Sequence, residues 1–302
     1  MWLKRFMKRV KLFVKLALSF GLVAFVLYQI DTKKLFEIIK EIDIFYFFLA
    51  FLAYNISKII SALRLNYYFK EIGIELDFFT GLKLYYMGMF YNLFLPGGIG
   101  GDGYKIYILK KRKKSTYKEL VTVTLLDRVS GLVALLFLGA LFFIFSSFAK
   151  VTALKIAAIA VLILSYPAFF AIYLKFFKKY AKYLKETVFL GFLVQLFQLL
   201  SAYFLLLSLP QNPPVIDFLA LFFISSIIAV LPITFGGVGA REATFLYGLR
   251  FLGYDPSLGV AFSFLFFFIN LLSGLIGIIF INISKEISQA RHPTRQNIEE
   301  AV

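Results

Sequence analysis

The sequence predicts an all-α polytopic membrane protein built from two inverted-topology repeats, each with three spanning helices and one re-entrant broken-helix hairpin. Three observations lead there. Apolar runs of about eighteen or more residues recur along the chain and read as membrane-spanning helices. Basic residues gather in alternate connections. A glycine-rich segment preceded by proline occurs twice, as Asn92–Tyr107 (NLFLPGGIGGDGYKIY) and Leu231–Gly248 (LPITFGGVGAREATFLYG).

Composition sets the class. The 302 residues are 61% hydrophobic, with 39 Phe and 18 Tyr, and mean hydropathy is +0.83. A net charge of +16 would suggest nucleic acid in a soluble protein. Here the cations sit between apolar runs, so membrane orientation and contact with anionic headgroups of the cytoplasmic leaflet explain them, and no nucleic-acid partner is expected. The absence of cysteine removes disulfides and thiolate metal sites. The one histidine, His292, lies in a polar tail and supports neither a histidine-centred triad nor a multi-histidine metal site. No cofactor and no metal are expected.

Full-length spans are expected at 12–30, 44–63, 120–147, 152–174, 188–208 and 258–282. The first follows MWLKRFMKRVK and ends without a small-x-small cleavage site, so it reads as an uncleaved helix. Lys4 to Lys11, Arg64 and Lys70, Lys105 to Lys118, Lys175 to Lys185, and the tail with Lys285, Arg291 and Arg295 carry most of the positive charge. Placing these inside gives cytoplasmic N and C termini. Lys33, Lys34, Lys40, Lys150, Lys155 and Arg250 are left for the outer connections. Lys15 and Lys58 are read as snorkelling near span ends.

The regions 78–109 and 216–250 are apolar but interrupted. The return from Pro96 to Leu109 covers only about 20 Å at ~1.5 Å per residue, short of the ~20 residues a crossing needs. Each region is therefore expected to be a re-entrant hairpin, opening inward in the first half and outward in the second. Gly97 stands 139 positions before Gly236, and the flanking spans repeat at nearly the same offset. The repeats are 1–147 and 148–284, followed by a polar cytoplasmic tail, 285–302, all within one integral membrane domain. Such repeats frame the central site of many transporters. A competing reading assigns the glycines to close helix packing alone, which leaves Pro96, Pro232 and the charges after each tip without a reason.

Irregular backbone at membrane depth must be satisfied by protein or line a watery cavity, so the tips are expected to meet in the interior. Gly97, Gly98, Gly100 and Gly101, like Gly236, Gly237 and Gly239, can present successive N–H groups, and the helix after each tip points its positive end at whatever lies there. An anion suits such a place, and the abundant anion of a bilayer is a lipid phosphate. The candidate substrate-binding set also includes Asn92, Pro96, Pro232, Asp102, Asp127, Arg128, Arg241 and Glu242. Intramembrane charges need partners or a polar route. Neighbours on a helix point about 100° apart, so Asp127 and Arg128 are expected to hold different partners: Arg241 for Asp127, and Asp102 or Glu242 for Arg128. The alternative is that Arg128 snorkels to the cytoplasmic headgroups with Asp127 as a local neighbour. Gln195, Gln198 and Asn270 read as interhelical hydrogen-bonding groups.

The motifs N-x-F-L-P-G-G-x-G-G-D at 92–102, D-R at 127–128 and L-P-I-x-x-G-G-x-G-x-R-E at 231–242 together resemble those of the lysylphosphatidylglycerol synthase transmembrane-region family. These proteins are also known as flippase-like domains or UPF0104 membrane proteins. The resemblance extends over roughly residues 10–285. It implies a bacterial or archaeal plasma-membrane protein whose partner is a phospholipid or a polyprenyl-linked lipid, moved or bound by alternating access. Bifunctional relatives carry a cytosolic aminoacyltransferase domain after the membrane part; this sequence ends at Val302, and lipid lysylation is not expected of it. Relatives often have Glu-Arg where this chain has Asp127-Arg128, which keeps both charges. Rival readings are an intramembrane transferase using Asp102 or Asp127 as base, an accessory subunit acting on a lipid-linked substrate, and a membrane scaffold. A homodimer is the base-rate expectation for oligomeric state.

Overall fold

A computed structural model describes residues 17, 20–94, 100–110, 115–211, 213–230, 234 and 237–281. Every regular element among them is helical. The first apolar run enters the described region as α1 (Phe20–Gln29). Asp31 then accepts the Lys33 and Lys34 N–H groups and starts α2 (Thr32–Lys40). This nine-residue helix buries Leu35 and Ile38, one turn apart, and leaves Lys33 and Lys40 exposed.

Asp43 caps α3 (Ile44–Lys70) in the same way, through the Phe45 and Tyr46 N–H groups. The helix runs seven residues past the expected end at 63, because Leu65, Tyr68 and Phe69 each find a buried position on its inner face. It stops where Gly73, at φ 72°, turns the chain back, with the Ile74 N–H donating to the Phe69 carbonyl. Arg64 is thus part of a helix, not of a cytoplasmic connection.

The first interrupted region forms α4 (Phe78–Phe94) and α5 (Gly100–Lys110). A Thr116–Glu119 capping box opens α6 (Tyr117–Phe145). A 3-10 turn (Ser147–Lys150), held by the buried Asp217 through the Ser147 N–H, leads to α7 (Thr152–Phe176), which contains Pro167. Then follow α8 (Leu184–Leu207), the second interrupted region as α9 (Val215–Val230) and α10 (Ala240–Phe251), and α11 (Pro256–Leu275). Asp255 caps α11, Pro256 occupies its first turn, and a 3-10 turn (Ile276–Phe280) extends it. Among the described residues, five helices (α3, α6, α7, α8, and α11 with its extension) are long and apolar enough to cross a membrane. This is a multi-pass membrane protein.

Packing divides the interior into two apolar cores. One gathers Tyr54, Leu138, Leu205, Phe222, Phe245 and Phe262 around α9, α10 and α11. The other gathers Tyr68, Phe69, Met87, Leu109, Val123 and Tyr173 around α4 and α5. The long helices α3, α6 and α8 contribute to both, and α3 runs against α8 along the most extensive seam in the fold. Among these apolar residues the three helices carry Ser57, Lys58, Ser61 and Arg64, then Asp127, Arg128 and Ser130, then Gln195 and Gln198. A polar belt therefore runs through the apolar interior.

At one end, Arg250 donates to the Gln29 side chain (2.9 Å) and carbonyl (2.6 Å), and Lys34 pairs with Asp255. These contacts tie the α1–α2 elbow to the turn between α10 and α11. Partial burial pushes the Asp255 carboxyl up, but the Lys34 ammonium and the Ser257 N–H outweigh it and hold the group below its ordinary value. A depressed carboxyl stabilises the fold above its unfolded pKa, and the contribution fades as pH falls through the folded one. Hydrogen exchange at the α2 amides is accordingly expected to accelerate relative to α8 between pH 6 and pH 3. Equal protection at both pH values would assign the elbow's attachment to apolar contacts alone.

Candidate functional site

Each interrupted region folds as a pair of packed helices, and the two pairs are closed differently. In the first, the Asn92 carboxamide oxygen accepts the Gly101 N–H at 2.8 Å, linking the end of α4 to the first turn of α5. Gly101 sits so close to Gly88 that a Cβ on it would lie 1.8 Å from the Gly88 carbonyl oxygen. In the second, Gly237 and Gly239 adopt φ near +82° and +83°, conformations that favour glycine. Their carbonyls accept the Arg241 and Ala243 N–H groups of the first turn of α10 (3.2 and 2.9 Å). A Cβ on Gly237 would stand 2.6 Å from that of Ala229 near the end of α9.

Behind the first hairpin, two carboxylates pair with three cations. Asp102, in the first turn of α5, bridges Lys105 at 2.8 Å and Arg128 of α6 at 2.5 Å. Of the two cations Lys105 is the more deeply buried, and its ammonium lies 5.1 Å from the Tyr85 ring centre. Asp127 pairs with Arg64 of α3 at 2.8 Å, and both are buried. The Arg64 guanidinium fits against two glycines: a Cβ on Gly131 of α6 would be 3.0 Å from its Nη1, and one on Gly191 of α8 would be 3.3 Å away.

The second hairpin is arranged otherwise. Glu242, almost fully buried, accepts the Gly239 N–H at 2.6 Å and the Ser263 hydroxyl at 3.0 Å, so its carboxylate serves the start of α10 and the α10–α11 contact. Arg241 lies over the Phe266 ring, 5.4 Å from its centre, and donates weakly to Ser226 at 3.4 Å. It lines a cavity of about 220 Å³ together with Tyr54, Lys58, Gln198, Phe266, Phe267 and Asn270. Lys58 caps the Tyr54 ring at 4.3 Å. Around the cavity the Tyr54 hydroxyl donates to Asn270 (2.6 Å), the Asn55 amide to Ser273 (3.0 Å), and the Tyr86 hydroxyl to Asn55 (2.8 Å). These bonds join α3, α4 and α11.

Of the residues singled out in sequence, Asn92, Gly100, Gly101, Asp102, Asp127 and Arg128 fall on the α4–α5–α6 side, and Gly237, Gly239, Arg241 and Glu242 on the α9–α10 side. Pro96, Gly97, Gly98, Pro232 and Gly236 lie outside the described residues. The expected Arg128–Asp102 pair is present. The expected Asp127–Arg241 pair is not: Arg64, turned inward by the extra turns of α3, takes that carboxylate. Glu242 is not the partner of Arg128, because capping α10 occupies it. Lys105 belongs to the interior and not to a cytoplasmic cluster, and Lys58 faces the cavity in place of a span end. Two spacings could have flagged these residues. Ser57, Ser61 and Arg64 share one face of a helix at i, i+4 and i+7, and Asp102–Lys105 is an i,i+3 pair.

A stretch of 138 residues is 25% identical to a UPF0104 membrane protein of Pyrococcus horikoshii, covering 45% of this chain and 41% of that relative. The three glycine- and charge-bearing motifs and the helical interior around them are accompanied by a match, over residues 12–277, to the profile of the lysylphosphatidylglycerol synthase TM region. The chain belongs to that family.

Proposed function

We propose that the protein binds and moves a phosphate-bearing lipid across a prokaryotic plasma membrane by alternating access, with 1–147 and 148–284 as inverted repeats. The observation that carries this is the pair of broken-helix hairpins whose second helices begin with charged residues inside an apolar bundle. The second helices, α5 and α10, have 11 and 12 residues. At ~1.5 Å per residue each covers little more than half of a ~30 Å hydrocarbon core. Hairpins of that reach, entering from opposite leaflets, would hold their tips near the polar belt, where two bundles can rock about a bound headgroup. Membership of the lysylphosphatidylglycerol synthase TM region family supports a lipid over a soluble solute.

Arg241→Ala is expected to reduce headgroup translocation in proteoliposomes at least about tenfold, since a buried cation that neutralises a ligand is worth several kcal/mol. Arg128→Ala is expected to do the same by leaving Asp102 to Lys105 alone at the first hairpin. Translocation is read by chemical labelling of headgroups that reach the outer leaflet. Wild-type rates in both variants, with the protein monodisperse, would point instead to a membrane scaffold.

A further inference from the structure

The two hairpins differ in charge balance. In the first, two carboxylates meet the cations: Asp102 answers Lys105 and Arg128, and Asp127 answers Arg64. In the second, Lys58 and Arg241 share one cavity, and no carboxylate of the described residues stands within ion-pair distance of either. The nearest acidic residue in sequence, Glu242, is committed to the Gly239 N–H and the Ser263 hydroxyl. Arg64 lies on the same helix as Lys58, but Asp127 already occupies it. Two cations facing one cavity repel each other, and low-dielectric walls strengthen that repulsion. An anion entering the cavity reverses the sign of the interaction.

We infer that the Lys58–Arg241 cavity is a subsite for the phosphate of an anionic lipid headgroup, and that it discriminates against aminoacylated, net-cationic headgroups. This rests on the proposed lipid function and adds to it the charge class of the ligand. The lining supplies hydrogen-bonding groups for a small polar headgroup in Gln198 and Asn270, and aromatic walls in Tyr54, Phe266 and Phe267. Among the described residues it supplies no carboxylate to receive an ammonium. A lysyl headgroup would bring its amines beside Lys58 and Arg241 with nothing to pair them, and a desolvated like-charge contact of that kind is how binding sites reject a near-isosteric ligand.

The test is native mass spectrometry of the full chain with phosphatidylglycerol, lysyl-phosphatidylglycerol and phosphatidylcholine added in turn, with and without inorganic phosphate as competitor. Wild-type protein is expected to retain phosphatidylglycerol at least about tenfold over the other two lipids, the scale of one desolvated charge contact. Lys58→Gln and Arg241→Gln should each erase that preference. Lys58→Arg should keep it, and so should the exposed control Lys178→Gln. Equal retention of the lysyl lipid, or an undiminished preference in both glutamine variants, overturns the inference. Displacement of the lipid by millimolar inorganic phosphate would make the cavity a soluble-anion site and also overturns it. Gel filtration separates lost binding from misfolding: if Lys58→Gln elutes as aggregate, the Lys58→Arg and Arg241→Gln pair decides. Failure of the transport reading looks different. Selective binding with no headgroup translocation would remove the transporter and leave this subsite standing.

Discussion

Gly101→Val is expected to destabilise the folded protein by more than about 3 kcal/mol, above the usual range for overpacking. The reason is the nature of the obstacle. A Cβ at Gly101 would lie 1.8 Å from the Gly88 oxygen and 2.6 Å from its carbonyl carbon, so the neighbour that must yield is the backbone of α4. Side-chain ends rotate away at small cost; a carbonyl in the middle of a helix moves only if the helix moves. Separating α4 from α5 also stretches the Asn92–Gly101 hydrogen bond and loosens the packing of Tyr91 on Tyr104, whose ring centres are 4.3 Å apart. The control is two residues away. Gly103 is exposed and would meet nothing within 4 Å, so Gly103→Ala should be neutral or raise stability by up to about 1 kcal/mol through helix propensity. Thermal unfolding of the purified protein, followed by light scattering and gel filtration, measures both. Similar melting temperatures for the two variants would mean that α4 and α5 do not touch at Gly88 and Gly101.

The contrast between these glycines shows what a sequence discloses and what it withholds. That α4 and α5 are two packed helices and not one span is legible, because Pro96 and the glycine cluster interrupt a run otherwise fit to span. The five long helices were legible for the same reason, each being an uninterrupted apolar run. That Gly101 closes a contact and Gly103 does not was illegible, since both sit in one G-G-D-G string and only the register against Gly88 separates them. The end of α3 was misjudged because Arg64-Leu-Asn-Tyr-Tyr-Phe-Lys looks like an interfacial stretch; its arginine goes inward only because a carboxylate 63 positions later waits there. Lys58 reads as snorkelling and Lys105 as part of a cytoplasmic cluster, whereas both face the interior. A lone lysine in an apolar helix is ordinarily a snorkelling residue, and the cavity or aspartate that turns it inward comes from another helix or the preceding turn. The capping role of Glu242 was within reach, as the third residue after Gly239 is where a glutamate can return to the helix start.

Removal of one partner from the Arg64–Asp127 pair carries the other large expected effect. Arg64→Ala or Asp127→Ala should each cost about 3–5 kcal/mol, because the remaining charge stays buried without compensation. Joint replacement, Arg64→Met with Asp127→Leu, should cost much less than the two single changes added together, since nothing charged is then stranded. The geometry limits rescue by lysine. The guanidinium bonds Asp127 through Nε at 2.8 Å while packing close to Gly131 and Gly191, and an ammonium offers neither the planar fork nor the reach along two helices. The pair is also imperfect, because Arg64 Nη1 and Gln195 Oε1 have no hydrogen-bond partner among the described residues. That imperfection argues against a purely stabilising role, since a hydrophobic pair of similar volume would avoid the cost of desolvating two ions. The pair links α3 to α6, and Lys58, which lines the cavity, stands six residues before Arg64 on α3. A double-mutant cycle measured by chemical unfolding in detergent isolates the pairwise coupling. Coupling below about 0.5 kcal/mol, the level of independent sites, would mean that Arg64 and Asp127 are not partners. Lost lipid selectivity in the stable double variant would show that this link is what positions Lys58.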